Sequence, residues 1–525
     1  MQKQREYRIT VDGTEVLYYV SSHARTWRPA KTLFVFAPDR TASDIGELRL
    51  FAENSGWKRM AEEDGAVLVL PVAAGGWKNE SVDRLKKIYR AVWNNSPSAD
   101  PEDFRGTAWC WETLIFCTGY DEGAVFAGNA AVAHPNMFAC ACMVNGQPDD
   151  YSAGEKLSDR WLLPDAAPSW QHKNREIPVE ILMLCSDEPE EARRYFLSTA
   201  CSEEQVTVLT GYYTTDEDTT ALIMEEFSTR IRWKNSPDGT AARCLSKKQF
   251  YTSGEFERDS VEHNGFSYDF FCKVPEGVTD TEGMPVVLLL HGHGEPAWLF
   301  SYKNGWAELC DETGAYLLVL PDSPENSWKV GRDEGVIPKI IDRLAERYGA
   351  DRERIYLTGF SNGSLATTWY GERQPELFAA ISPWNSPMIC YEDELEQSGY
   401  ELPVFAVNGD LDHKMDVPRQ FYREQFSAFQ RINGGTPEES EDGPVRLRPD
   451  EIRDASDRYT AEAGYTEGGR LTTYVFNGRD GIPRVCFTNV SDMPHGAIYD
   501  TSRAAWDFLR HFRRPGNGKR SEYTD

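Results

Sequence analysis

Ile355-Tyr356-Leu357-Thr358-Gly359-Phe360-Ser361-Asn362-Gly363-Ser364-Leu365-Ala366-Thr367-Thr368-Trp369-Tyr370 decides the reading of this chain. The apolar run ending at Thr358 predicts a strand, Gly359 to Gly363 a tight G-x-S-x-G turn, and the stretch from Ser364 a helix. In a turn this sharp, side chains two residues before and after the serine collide, so glycine is required at 359 and 363. Ser361 then stands proud of a sheet with its hydroxyl exposed and a helix N-terminus beneath it. The pentapeptide alone carries little weight, because its residues are common. Its flanking strand and helix carry the argument.

The same pattern occurs earlier without the serine. Leu114-Ile115-Phe116-Cys117-Thr118 leads into Gly119-Tyr120-Asp121-Glu122-Gly123 and then Ala124-Val125-Phe126-Ala127, with Asp121 in the place of Ser361. At the same spacing, Pro135-Asn136-Met137-Phe138-Ala139 echoes Pro375-Glu376-Leu377-Phe378-Ala379. Upstream, Gly56-Trp57 with Gly65 to Pro71 echoes Gly305-Trp306 with Gly314 to Pro321, and Trp77-Lys78 echoes Trp328-Lys329. A repeat this long is a duplicated domain. The expected organisation is two α/β domains, residues 1–240 and 246–525, of which the second alone keeps a nucleophile.

Composition fits that plan. A chain of 525 residues holds two or more domains, and 40% hydrophobic with 27% charged residues is ordinary for a globular protein. No apolar stretch reaches the length of a membrane span. Met1 to Tyr7 lacks an apolar core of the secretory type, and the eleven cysteines show no metal-site spacing. Cys117, Cys185, Cys272 and Cys310 sit in apolar segments, as reduced core thiols do, so a cytoplasmic protein is expected. A net charge of −28 disfavours nucleic acid and anionic membrane as partners. It is most simply a solvated acidic surface, and Pro437 to Pro444 an exposed acidic loop.

In the second half, a hairpin pattern ends in Phe266 to Val274, and Pro285 to Leu290 reads as a strand buried on both faces. Further strands are expected at Tyr316–Leu320, Ile355–Thr358, Phe378–Ile381, Val404–Val407 and Arg484–Val490. Helices are expected at Ile337–Arg347 and Thr501–Leu509. Such alternation predicts a mostly parallel, doubly wound sheet whose site lies beyond the C-terminal strand ends. Three such ends carry chemistry. Leu290-His291-Gly292-His293-Gly294 is a turn able to present a backbone N–H, expected at His293, that with the N–H of Asn362 forms an oxyanion hole. His291 itself is read as shaping that turn through its ring hydrogen bonds. Asn408-Gly409-Asp410-Leu411-Asp412-His413 offers Asp412, with Asp410 in reserve, as a carboxylate. His413 is too close to its own aspartate to be oriented by it. His495, in Met493-Pro494-His495-Gly496, follows a strand and precedes the last helix. In the order Ser361, Asp412, His495 these residues make a nucleophile, an orienting acid and a general base. Trp384, within Ser382-Pro383-Trp384-Asn385-Ser386-Pro387, is expected either to grip an ester substrate or to anchor packing.

Together, Leu290-His291-Gly292, Thr358 to Gly363, Asn408 to Asp412, Phe429 to Gly434 and Met493-Pro494-His495 resemble the α/β-hydrolase superfamily. Within it they are similar to the serine esterases of the polyhydroxybutyrate-depolymerase and feruloyl-esterase group. The resemblance implies tandem α/β-hydrolase-like domains, roles for Ser361, Asp412 and His495 as above, and no metal or organic cofactor. It departs at Ser364, where a second small glycine is common. The implied substrates are small or oligomeric esters of short-chain, hydroxyalkanoate, acetyl or feruloyl type. A serine peptidase of the same fold and a non-catalytic scaffold remain open.

The first half keeps less. Ala37-Pro38 stands where His291-Gly292 does, and proline donates no N–H. Asp187, after Val179 to Ser186, parallels the acid, but no histidine follows His172 in this half. With neither base nor oxyanion turn, Asp121 is read as inert. A structural role follows: covering the catalytic domain, building a homodimer or walling the substrate cleft.

Overall fold

The computed structural model describes residues 4–26, 28–99, 106–134, 137–146, 180–198, 203–233, 243–385, 392–410, 412, 427–436, 452, 455–463, 468–491, 493, 495–516 and 518–524. The chain divides into two compact units, Met1–Lys234 with Gly239–Gln249, and Asn235–Asp238 with Phe250–Asp525.

Among the described residues, the first unit is built on β1 (Arg5–Val11), β2 (Thr14–Val20), β3 (Ala30–Phe36), β4 (Val67–Pro71), β5 (Cys110–Tyr120), β6 (Cys140–Val144), β7 (Ile181–Cys185) and β8 (Val206–Thr210). They form one sheet in the order β1-β2-β4-β3-β5-β6-β7-β8, parallel from β4 onward. β9 (Arg230–Trp233) and β10 (Arg243–Ser246) make a separate antiparallel pair.

The second unit repeats this order and extends it. β11 (Glu257–His263) and β12 (Phe266–Lys273) form the expected hairpin. β13 (Val286–Leu290), β14 (Leu317–Pro321), β15 (Ile355–Phe360), β16 (Ala380–Trp384) and β17 (Val404–Gly409) follow, then β18 (Asp457–Glu462), β19 (Arg470–Asn477) and β20 (Pro483–Val490). The sheet runs β11-β12-β14-β13-β15-β16-β17-β20-β19-β18, parallel from β14 through β20. β13 to β17 are buried along their whole lengths, which is why they read as unbroken apolar runs rather than alternating ones. The antiparallel extension β19-β18 is not signalled by the sequence. β18, DRYTAE, is exposed at every position and has no apolar face to announce it.

The helix Val336–Tyr348 shows why its sequence folds as it does. Val336, Ile337, Ile340, Ile341 and Leu344 line one face and are buried. Gly349, at φ 65°, ends it in the left-handed conformation. Cys110, Cys117, Cys140, Cys142, Cys185, Cys272, Cys310 and Cys486 are buried thiols. No helix among the described residues is long and apolar enough to cross a membrane.

Chain order reverses direction around β13: its successor β14 lies on one side and β15 on the other. This is the switch point at which open α/β sheets bind ligands. Leu290 pairs with Gly359 there, so the turn after β13 and the serine turn after β15 emerge side by side. The approach is close. A Cβ on Gly363 would sit 2.6 Å from the carbonyl oxygen of His291 and still closer to that of Leu290. The first unit has the same contact, since a Cβ on Gly123 would lie 2.9 Å from the carbonyl carbon of Phe36. Backbone on backbone cannot yield as a side-chain tip would. Gly363→Ala is therefore expected to cost about 3 kcal/mol or more, read as a large fall in melting temperature or loss of folded protein. Gly277→Ala, where nothing lies within 4 Å of the added methyl, is expected to cost only the ~1 kcal/mol of a left-handed alanine.

Candidate active site

Ser361 sits between β15 and the helix Asn362–Arg373 with φ 55° and ψ −114°, a region that non-glycine residues rarely adopt. The turn is held from the neighbouring strand, because the Ser361 N–H donates to the carbonyl of Trp384 at 3.0 Å. The first bond into the helix runs from the Leu365 N–H to the Ser361 carbonyl. The N–H groups of Asn362, Gly363 and Ser364 are thus left without intrahelical acceptors at the positive end of the helix.

The two expected oxyanion residues converge on one loop. The Asn362 side chain brackets the backbone of Trp328, accepting from its N–H at 2.7 Å and donating to its carbonyl at 3.2 Å. The ring Nδ1 of His293 lies 3.0 Å from the hydroxyl of Ser327, and the Gly294 N–H donates to the Asn326 carbonyl at 2.8 Å. Residues Asn326 to Trp328 therefore tie the turn after β13 to the start of the serine helix. Sequence reasoning did not find this tether.

His291 does shape the turn. It is fully buried, with Nδ1 2.8 Å from the carbonyl of Gly292, and its Nε2 accepts from the Ser323 N–H at 3.1 Å. An acceptor at Nε2 requires a neutral ring with its proton on Nδ1. Burial enforces the same state, pushing this imidazole down to about 4.

Of the two candidate acids, the structure brings Asp412 to His495: carboxylate Oδ2 and ring Nδ1 are 2.8 Å apart. Asp412 is buried, its N–H donating to the Gly409 carbonyl, while the His495 side chain keeps 18% exposure. Asp410 is exposed at the turn, its backbone N–H bonded to Val490. His413 lies outside the described residues, as do Asp492 and Pro494. With Nδ1–H donating to Asp412, His495 presents Nε2 as its proton acceptor.

Phe360 links His495 to Ser361. It precedes Ser361, and its ring centroid lies 4.7 Å from that of His495. The ammonium of Lys303 stands 3.6 Å from the centre of the Phe360 ring and pairs with Glu295 at 2.9 Å, both side chains buried. Nothing in the sequence marks this pair, since Glu295 directly follows the His291–Gly294 turn but Lys303 lies further on in a stretch with no motif. Among the described residues no group of acidic, histidine or cysteine side chains is placed to hold a metal ion.

Of the two roles expected of Trp384, gripping an ester substrate or anchoring packing, its surroundings match the second. It is the last residue of β16, which continues past Ile381 through Pro383, and it pairs with Phe360. Its ring is 1% exposed, stacks on Trp306 at 6.2 Å and donates its N–H to Ser382 at 2.7 Å. Both its face and its polar edge are used inside the unit, so it is a packing anchor.

In the first unit, Asp121 has φ 54° and ψ −115°, the dihedrals of Ser361, and its N–H donates to Val144 at 3.0 Å. Phe36 pairs with Gly119 as Leu290 does with Gly359, placing Ala37-Pro38 opposite this turn. Burial, and then the charge of Glu122, push the Asp121 carboxyl up. Asp187 is exposed and receives a bond from Ser186.

No family model matches the chain. It is similar to a bifunctional acetylxylan esterase/xylanase of Neocallimastix patriciarum, 24% identical over 209 residues, 36% of this chain and 30% of that protein. It is also similar to poly(3-hydroxyalkanoate) depolymerase C of Paucimonas lemoignei, 28% identical over 134 residues, 23% of this chain and 31% of that protein. Among solved structures, the acetyl xylan esterase from Aspergillus awamori aligns with 49% of this chain and 100% of that chain, at 15% identity and a TM-score of 0.36. The chain spans less than half the length of the curated relatives it matches.

The neutral His291 ring makes a pH prediction. Its proton affinity is lower folded than unfolded, so the unfolded chain takes up the extra proton. The stability it contributes is complete above about pH 6.5 and falls as the pH drops toward about 4, by on the order of 1.4 kcal/mol per pH unit. His291→Asn should flatten this slope between pH 6.5 and 4, as measured by urea unfolding of both proteins across that range.

Proposed function

We propose that the second unit, read from the sequence as residues 246–525, is a serine carboxylic-ester hydrolase working through an acyl-enzyme. The Asp412–His495 contact carries this reading, because it sets an oriented imidazole beside the aromatic residue that adjoins Ser361. In the proposed cycle, Ser361 gives its proton to His495 Nε2 while its oxygen attacks the ester carbonyl carbon. Negative charge on the carbonyl oxygen is met by the N–H of Asn362 and one from the turn at His293, at the positive end of the serine helix. Collapse of this intermediate expels the alcohol, which takes the proton from His495. Water then repeats the sequence on the acyl-enzyme, and Asp412 holds the tautomer and offsets the imidazolium charge throughout.

The relatives' names, acetylxylan esterase and poly(3-hydroxyalkanoate) depolymerase, support an ester rather than an amide as substrate. We take acetyl, feruloyl, hydroxyalkanoate or other short-chain esters as the class. The first unit, read as residues 1–240, we propose to be a non-catalytic copy with a structural role. Buried thiols support a reducing, cytoplasmic setting.

Ser361→Ala is expected to lower ester turnover by on the order of 10⁴-fold or more with the fold intact. A fluorophosphonate should label one serine per chain, Ser361. A panel of p-nitrophenyl acyl esters, methyl ferulate, hydroxybutyrate oligomers and peptide anilides ranks the substrates, and preference for the anilides would replace the esterase reading with a peptidase. Asp121→Ala should leave kcat unchanged. A large fall in kcat at constant melting temperature would make the first unit chemically active.

A further inference from the structure

We infer that Asn385 is a positioning residue for His495, acting as a staple between the three strand ends that carry the site; the inference rests on the proposed triad. Asn385 follows β16 directly, is 1% exposed and has φ 53°. Its side-chain Nδ2 donates to the carbonyl of Gly496 at 2.8 Å, one residue beyond His495. Its backbone N–H donates to Val407 at 2.9 Å, on the strand that leads to Asp412. The preceding carbonyl, of Trp384, accepts the N–H of Ser361. Two consecutive residues thus bond to the nucleophile turn, the acid strand and the base loop.

The base loop needs such a tie. The ring of His495 is held at Nδ1 by Asp412 and meets Phe360 on its side, but these contacts fix the ring only if its backbone is fixed too. The bond from Asn385 to Gly496 supplies that anchor within one residue of the imidazole. Asparagine suits the position twice over. It tolerates the left-handed backbone better than other non-glycine residues, and its amide supplies a donor where a buried carbonyl needs one.

The first unit holds the same staple without a base. Asn145 has φ 56°, its N–H donates to Leu184 at 2.9 Å, and its Nδ2 donates to the Tyr213 carbonyl at 2.8 Å. The bond therefore belongs to the fold, and it bears on the reaction in the second unit because of what its loop carries. Asn145 makes a control: breaking the same bond there measures the structural cost alone.

The test uses the full chain. Asn385→Gly keeps the backbone conformation and deletes the amide. It is expected to lower kcat on p-nitrophenyl acetate, and the rate of Ser361 labelling by a fluorophosphonate, by about 10- to 100-fold, with KM unchanged. Asn385→Asp, which keeps the shape and loses the donor, should behave alike and stands in if the glycine variant does not fold. On a His495→Ala background neither change should cost anything more. Asn145→Gly should leave both rates at the wild-type value. Wild-type rates in a folded Asn385 variant, or losses that multiply on the His495→Ala background, would overturn the inference. Full activity of His495→Ala alone would instead overturn the triad reading beneath it.

Discussion

The packing of Gly363 onto the carbonyls of Leu290 and His291 is the contact from which the rest of the second unit's site takes its geometry. It lets the helix Asn362–Arg373 start almost on top of the turn after β13. The chain can then pass from strand to helix only through a left-handed residue, and Ser361 is that residue. Strain of this kind persists only where surrounding structure over-determines it. Here the determinants are the Ser361–Trp384 bond behind the turn, the Asn362–Trp328 clamp in front of it and the buried neutral ring of His291 alongside.

The sequence disclosed what is local and what is buried on both sides. The serine turn was legible because glycine at two fixed positions has a steric cause, and β13 to β17 because strands covered on both faces are apolar throughout. Asp412 was preferred to Asp410 without being decided, since the choice depends on how a loop presents two carboxylates to a residue more than eighty positions away. Trp384 was ambiguous because a proline just before it suggests that a strand has ended, whereas Pro383 pairs with Gly359 inside the sheet. Asn385 was overlooked although a signal existed. It stands at the same spacing from Asn145 as Ser361 does from Asp121, and the repeat could have been followed that one residue further. Lys303 and Glu295 had no such signal, because a buried ion pair made across a short helical turn is indistinguishable in sequence from two surface charges.

The first unit separates architecture from chemistry. Its turn reproduces the dihedrals of Ser361 to within a degree or so, and its asparagine staple is intact. A strained turn and a positive helix end are thus properties of this fold, present whether or not a hydroxyl is there to use them. What differs is the histidine. No histidine occurs between His172 and His263, and Tyr213 occupies the loop that Asn145 holds. In the second unit, by contrast, the equivalent loop delivers an imidazole to a buried carboxylate.

The exposed strand β18 also governs what the ten-stranded sheet can become. Among the described residues β18 ends this sheet, and an edge strand offers its outer backbone groups as a template for any extended chain that arrives. At this margin Asp457, Arg458 and Glu462 stand in water, and any incoming strand would have to strip that hydration before its first bond formed. The opposite margin, β11, carries Glu257, Arg258 and Asp259, with Arg343 and Arg347 reaching across from the adjoining helix to clasp Glu257 and Asp259. A second copy of the sheet therefore finds charge at both borders of this unit, and growth by edge-to-edge addition, the first step toward fibrils, is discouraged from either side.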